Sequence, residues 1–486
     1  MKKLLPLLCF LFPVFIHAAL PSNTTTWEVR TLGASTNGGC YVTGASGTDF
    51  SQQNGAQFNG TDLVIAATTT NVTSVSHSFV ATDVGNCVQI SAGTGFTVGF
   101  YEIVSVATGI ATLDRSAGVA ASTGGTWAEG GAVASPQTVY SNAAAGNTAW
   151  VKADGTYTFT SSITFNVDSI FTNSFKTIGY TSARGDGGRA TWTTATNSVN
   201  LIALGTSATT RGVEFDNLTL SNTAGTTGFG LSSCSGRNIA GVFVSNTSFT
   251  GFSVGIEANS STGGCGNEIQ PLTLLNVEIK NGTSHGVDAS ASLYCTGCYL
   301  HGNGGSGANL TSNGSGEAVF VNSVFYSNTV NGITTQDNQT QGGRGNTVVN
   351  CVFMSNVDGV HLNSSTVASN FNSINSIYYS NTGYGINATS IQSWGYFYNN
   401  AFGANTTAAS ENLPTQYNTV ALSANPFTSA GTNFALNSTA GGGALLKAAG
   451  FPGVTLGNGT GFVDIGALQS QSGGSGGSAL AGGYAQ

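Results

Sequence analysis

The chain has 486 residues and a formal net charge of -8, set by 13 basic and 21 acidic side chains. So few cations exclude a nucleic-acid-binding protein, which needs many phosphate contacts, and leave no polybasic membrane patch. Charged residues are 7% of the chain and Gly is 69 of 486, yet Val, Ile, Phe and Tyr recur at fixed intervals, which excludes a disordered polar chain.

Residues 1–18 read as a secretory signal. Lys2 and Lys3 precede an apolar run from Leu4 to Ile16, and Ala18 and Ala19 offer small cleavage residues. The run is short for a membrane span, and no later segment resembles a membrane helix. The expectation is an exported chain, secreted or held at a cell or virion surface. Seven cysteines follow the signal, an odd number that leaves at least one unpaired within the chain.

Residues 19–135 predict a small β-rich N-terminal domain. Short strands at 82–90, 99–106 and 110–114 are parted by Gly, Thr and Asp turns. Cys40 and Cys87 are the candidate disulfide of this module.

From 136 the strands become regular, and a repeat emerges. Asn322-Ser-Val-Phe-Tyr-Ser-Asn328 is followed by Asn350-Cys-Val-Phe-Met-Ser-Asn356 and Asn375-Ser-Ile-Tyr-Tyr-Ser-Asn381, each leading to a Gly-hydrophobic pair. Ile279, Tyr299, Phe325, Phe353, Tyr378 and Phe402 are read as equivalent anchors, at steps of 20, 26, 28, 25 and 24. This spacing predicts an all-β solenoid of about eleven to thirteen coils over 136–470. Its body spans 136–415, terminal coils and a cap span 416–470, and 471–486 is a Gly/Ser-rich tail.

Strand alternation sorts the side chains. Ile279, Phe325, Phe353 and Tyr378 are the predicted core, with Val277, Val321, Ser323, Val349 and Cys351 also facing inward. Asn328, Asn356, Asn381 and Asn405 fall three places after their anchors and predict an Asn ladder that satisfies turn amides. Cys234 and Cys265, about one coil apart, are a second candidate disulfide. Cys295 and Cys298 form a lone Cys-x-x-Cys, with Cys295 expected inward beside Val321 and Val349, and Cys298 outward.

These coils resemble the right-handed parallel β-helix proteins, the superfamily that includes pectate lyases and phage tailspikes. The stretch 146–157 looks like the opening coil of bacterial and phage members. Ala424-Asn-Pro-Phe427, Asn433-Phe-Ala-Leu436 and Asp464-Ile-Gly-Ala-Leu468 resemble their closing segment. The strands at 80–115 resemble an N-terminal module of phage-like members. The resemblance implies the right-handed sense, surface attachment or carbohydrate contact, and lyase or hydrolase activity in some members. It also implies a surface polysaccharide, a homotrimer or a particle body as partner.

Chemistry is harder to find. A lyase-like site needs acidic calcium ligands and a base, and a hydrolase needs neighbouring carboxylates. Asp288, Asp337 and Asp358 are the coil acids that could serve. The register places Asp288, Asn309, Thr334, His361 and Asn387 in one outward column, and His285, Asn331, Asp358 and Tyr384 in another. Asp288 and His361 are three coils apart, about 14 Å at about 4.8 Å per coil, whereas Asp358 and His361 share a coil and can meet across its bend. Asp358, His361 and Asp288 are therefore the catalytic candidates, and Asn309, Asn331, Tyr384 and Asn387 the carbohydrate-contact candidates. Solvated turn residues are the plainer reading of Asp358 and His361. Calcium is compatible with the chain, but no specific metal site is legible. Arg184-Gly-Asp186 is read as a chance match to an adhesion motif. The sequence thus favours non-enzymatic adhesion or glycan contact. A polysaccharide lyase or glycoside hydrolase is the competing class, and a purely structural virion or surface component the third.

Overall fold

A computed structural model describes residues 24–469 except 66–68, 171, 207–208, 225–226, 234–238, 260–268, 270, 291, 313–316, 338–344, 365–369, 390–394 and 451–463. The signal segment, the Gly/Ser-rich tail and the Cys234–Cys265 pair lie outside the described residues.

Three parallel sheets form the walls of a solenoid, and each coil gives one short strand to each wall. Eleven strands, from Thr148–Lys152 to Gln416–Tyr417, run along the first wall. The second wall also has eleven strands, and the third has ten, ending at Ala408–Glu411. Among the described residues this makes ten complete coils and an eleventh that ends on the second wall. Pairing runs coil to coil in register, as in Val324↔Val352, Phe325↔Phe353 and Tyr326↔Met354.

Corners explain both the repeat and where simple alternation misleads. Asn246, Asn276, Gly297, Asn322, Asn350 and Asn375 occupy the corner between the first and second walls, all with positive φ. Asn and Gly tolerate this left-handed conformation best. A left-handed residue inserts a bend, so the in/out alternation slips by one across it. Phe320 and Val348, not Val321 and Val349, therefore face the core on the first wall. Cys298 likewise turns inward: it follows Gly297, is 2% exposed and lies in the line of Ser323 and Cys351. One anchor also shifts. Leu300, not Tyr299, pairs with Ile279 and Phe325, and Tyr299 points out.

The corrected anchor column is the centre of the core. The rings of Phe325, Phe353, Tyr378 and Phe402 stack at 4.8, 4.9 and 5.0 Å. Those separations match the spacing of strands in a sheet, about 4.8 Å. The Gly-hydrophobic pair is explained by the same stack. A Cβ on Gly359 would lie 2.4 Å from the Gly385 carbonyl oxygen and 2.8 Å from the Tyr378 ring.

At the corner between the second and third walls, a line of buried Asn side chains runs coil to coil. Asn303 Nδ2 donates to Asn328 Oδ1 at 2.9 Å, Asn328 to Asn356 at 3.0 Å, Asn356 to Asn381 at 3.3 Å and Asn381 to Asn405 at 2.9 Å. Each oxygen also takes the backbone N–H of the Asn before it, so the corner amides are satisfied.

The N-terminal segment covers the first coil of the solenoid. Six strands between Phe58 and Glu129 close into an antiparallel barrel with its own core. The first strand, Thr25–Val29, is not part of that barrel. It pairs in parallel with Thr148–Lys152 and so extends the first wall, with Cys40–Val42 beyond it. The Cys40–Cys87 disulfide ties this extension to a barrel strand. Arg184 seals the same junction by bonding Glu28, Asp49 and Ser51, and Asp186 accepts from the Thr181, Ser182, Ala183 and Gly188 N–H groups. Both charged residues of the Arg-Gly-Asp triplet are thus committed to structure. At the other end, the antiparallel hairpin of Phe427–Ser429 and Asn433–Leu436 folds back onto the outside of the second wall.

Candidate functional site

The outer faces of the walls differ in what they can offer a ligand. On the second wall, Val324, Val352, Met354, Ile377 and Ala401 are covered by Phe427, Phe434, Leu436, Leu446 and Ile465. Tyr299 donates its hydroxyl to the Gly431 carbonyl, 3.2 Å away, and is covered with them. The third wall instead carries a polar column. Glu257, Asp288, Asn309, Thr334, His361, Asn387 and Glu411 are register partners on seven successive strands. Three places earlier in each coil, His285, Ser306, Asn331, Asp358 and Tyr384 line the entry turn.

The early part of this column is closed. Asp288 is 5% exposed and accepts from the amides of Asn259 and Asn309, both at 3.1 Å. Burial pushes its carboxyl above the ordinary range despite those bonds and the neighbouring His285. His285 is itself pushed down by burial, and its Nδ1 accepts the Ser306 N–H at 3.0 Å. Asn309 and Asn331 are equally buried. Asn309 is held between Asp288 and Gln336, while Asn331 donates to Thr334 and accepts the Asp358 N–H. Both amides are engaged within the protein, bonded to neighbouring coils and turns. The side chain of Asp337 lies outside the described residues.

The later part is open. His361 Nδ1 lies 2.8 Å from Asp358 Oδ2, which also accepts Asn387 Nδ2 at 2.9 Å. Asp358 Oδ1 accepts the Tyr384 N–H at 2.8 Å. Burial alone would raise the Asp358 carboxyl, but the bonds from His361, the Tyr384 N–H and Asn387 outweigh it and hold it below its ordinary value. A carboxylate acceptor at Nδ1 fixes the imidazole's orientation and places the Nδ1 proton between the two groups. Tyr384 and Glu411 lie on adjacent strands, and the interaction with that carboxylate holds the Tyr384 phenol above its ordinary range. Asp358, His361, Tyr384, Asn387 and Glu411 therefore form one cluster on three adjacent coils. Asp288 is not in it: it sits three strands before His361, about 14 Å at about 4.8 Å per strand.

Glu411 escaped the sequence reading because its coil lacks the Gly-hydrophobic pair, although it lies 24 residues after Asn387. A stack of tyrosines on the first wall escaped it too. Tyr396 and Tyr417 are 66% and 49% exposed, and Tyr398 stacks on Tyr417 at 5.0 Å. These rings belong to the same final coils as the cluster, and Gln416 bonds Ser410 across the intervening bend.

No protein-family model and no curated protein matches the chain. Solved structures do. Pectate lyase Pel9A is 16% identical, with 70% of this chain and 92% of that one covered at a TM-score of 0.49. ORF18 of Geobacillus virus E2 is 16% identical, covering 59% and 56% at a TM-score of 0.41. The A-module of the Azotobacter vinelandii mannuronan C-5 epimerase AlgE4 is 12% identical, covering 56% and 82% at a TM-score of 0.36. The likeness is one of fold, found in carbohydrate-active enzymes and in a virus protein alike. Among the described residues, no helix is long and apolar enough to cross a membrane. With three parallel walls wound coil on coil, the chain is a parallel β-helix protein of the architecture its repeats resemble.

Proposed function

We propose that the protein acts outside the cell on a polysaccharide seated across the last coils of the third wall, with His361 as the proton acceptor. The observation that carries this reading is the carboxylate of Asp358, held by three donors, one of which is His361. A neutral imidazole with its proton fixed at Nδ1 keeps a lone pair at Nε2, the form a general base requires. Asp358 is committed to His361 and the turn, which leaves Glu411 as the exposed carboxylate of the cluster. Hydrolysis by paired carboxylates asks for two. Abstraction of a proton beside a sugar carboxylate, as in lyase-type elimination, asks for one oriented base and fits better. Tyr384, on the neighbouring coil, would supply the proton to the leaving oxygen. The exposed tyrosines of the first wall suit a sugar face, since aromatic rings offer broad apolar contact with a polar edge.

A second reading, glycan binding without turnover, is favoured by those tyrosines alone. Incubation with uronate-containing and neutral polysaccharides separates the two readings. Unsaturated product from the wild-type chain, lost in His361→Ala while binding persists, supports elimination. Binding without product, weakened in Tyr417→Ala, supports adhesion. Neither binding nor product across the panel would reject both.

A further inference from the structure

The N-terminal barrel contains a second cluster of ionisable groups, far in sequence from the third wall. His77, Asp83 and Glu129 each bring one ligand-type atom to within 4.8 Å of the others. They come from different elements. Glu129 ends the barrel strand Ser122–Glu129, Asp83 ends the short helical turn Ala81–Asp83, and His77 lies in the connection before that turn.

Three features set this cluster apart from ordinary surface acids. Asp83 and Glu129 are both fully buried. Among the described residues, both carboxylate oxygens of Glu129 and Oδ1 of Asp83 have no hydrogen-bond partner. Among the described ion pairs neither carboxylate meets a Lys or Arg, and the ionisable partner of Asp83 is His77, with Nε2 at 2.8 Å from Oδ2. Two buried carboxylates with unpaired oxygens are costly unless a cation or a proton joins them. The His77 ring is fixed in place: it stacks on Phe58 at 3.6 Å and meets Phe79 edge-on at 5.2 Å. Its side chain keeps 12% exposure, which leaves the cluster a path to solvent.

We propose that His77, Asp83 and Glu129 form a binding site for a divalent transition-metal ion of the zinc class. One imidazole nitrogen with two carboxylates is a donor set such ions accept, whereas calcium takes oxygen ligands. The ion would replace the proton between His77 and Asp83 and engage the unpaired Glu129 oxygens. It would fasten the Ala81–Asp83 turn to the strand that closes the barrel. Its role is structural in this place, since both carboxylates are sealed from solvent. The competing state is a protonated Glu129, favoured by burial and by the charge of Asp83, which raise its carboxyl to about 9.

The test uses the full chain as secreted, stripped with a chelator and then titrated with zinc, manganese or calcium chloride. Bound metal is counted by mass spectrometry, affinity is read by calorimetry and stability by thermal unfolding. One zinc per chain is expected, with a higher Tm. Affinity should fall at least tenfold in both His77→Gln and Glu129→Gln, while His361→Ala leaves it unchanged. Glu129→Gln keeps the shape and removes the charge, so its circular dichroism should match the wild type. Absence of zinc uptake by folded wild-type chain overturns the site, as does uptake that survives both substitutions. A folded Glu129→Gln chain as stable as the chelator-stripped wild type, with no zinc uptake by either, identifies the protonated acid instead. Uptake of calcium with no uptake of zinc rejects the donor assignment.

Discussion

The second and third walls are built from the same coils, joined by the same Asn-lined corner, and share one core, yet their outer faces are opposites. On the second wall the outward positions from Val324 to Ala401 are largely apolar, and the chain returns to cover them. On the third wall the outward positions are polar and bond laterally to one another. A solenoid needs its inward residues to match from coil to coil, because each coil is held by its neighbours. Its outward residues carry no such demand. One face became an internal interface and the other kept titratable groups at its open end. The proposed function uses the third wall and the exposed stretch of the first.

The largest test of this contrast removes what the walls share. Phe353 is fully buried between the Phe325 and Tyr378 rings. Phe353→Ala should cost about 3–5 kcal/mol in equilibrium urea unfolding. Hydrogen exchange should quicken on both walls of the adjoining coils before it does in the barrel, which has a separate core. Near wild-type stability would show that the anchor column does not hold the coils.

A smaller effect should distinguish the walls. Phe434 is buried against Tyr299, Tyr326 and Phe427 under the hairpin. Phe434→Ala removes contact on the second wall only, and should cost about 1.5–3 kcal/mol. The hairpin should become protease-sensitive while the third-wall cluster keeps its behaviour. Loss of glycan binding or turnover in this variant would mean that the second wall, not the third, serves the ligand.

Much of this architecture was legible because the repeat is carried by residues whose physical roles are narrow. Asn at the corners, Gly under the aromatic stack and ring-bearing anchors each admit few substitutes, so the period shows through in Phe325, Phe353, Tyr378 and Phe402. Alternation failed at Val321, Val349 and Cys298 because a left-handed corner residue shifts the phase, and period-2 reasoning assumes an unbroken strand. Tyr299 was misplaced for a related reason: an aromatic residue drew the alignment one place from Leu300, the true core member. Two columns of the third wall could be drawn from sequence, but not their depth. Asn309 and Asp358 occupy comparable outward positions, and only packing shows that Asn309 is closed between neighbours whereas Asp358 supports a part-exposed imidazole. The barrel cluster left no signal in spacing, since Glu129 stands 46 residues after Asp83 and reaches it only through barrel closure.

The smallest expected effect concerns the titration of Asp358 itself. Its folded-state pKa lies below the ordinary value, which is about 4 for an aspartate. The stabilisation it gives is therefore fully present above about pH 4 and fades as pH falls through the folded value. Protonation removes acceptor capacity from a group that holds His361, Asn387 and the Tyr384 N–H at once. Asp358→Asn keeps the shape and one acceptor oxygen but no charge, and should cost about 1 kcal/mol at neutral pH, the size of one net hydrogen bond. As pH falls through that folded value the wild type should approach the variant, because the native carboxyl then loses its charge as well. The difference in urea midpoint between the two proteins should thus shrink with acidification, while the difference for Phe434→Ala, an uncharged contact, should not follow the same course. Parallel pH curves for wild type and Asp358→Asn would show that the carboxylate charge does not hold the third-wall turn. The role of Asp358 in orienting His361 would then rest on shape alone.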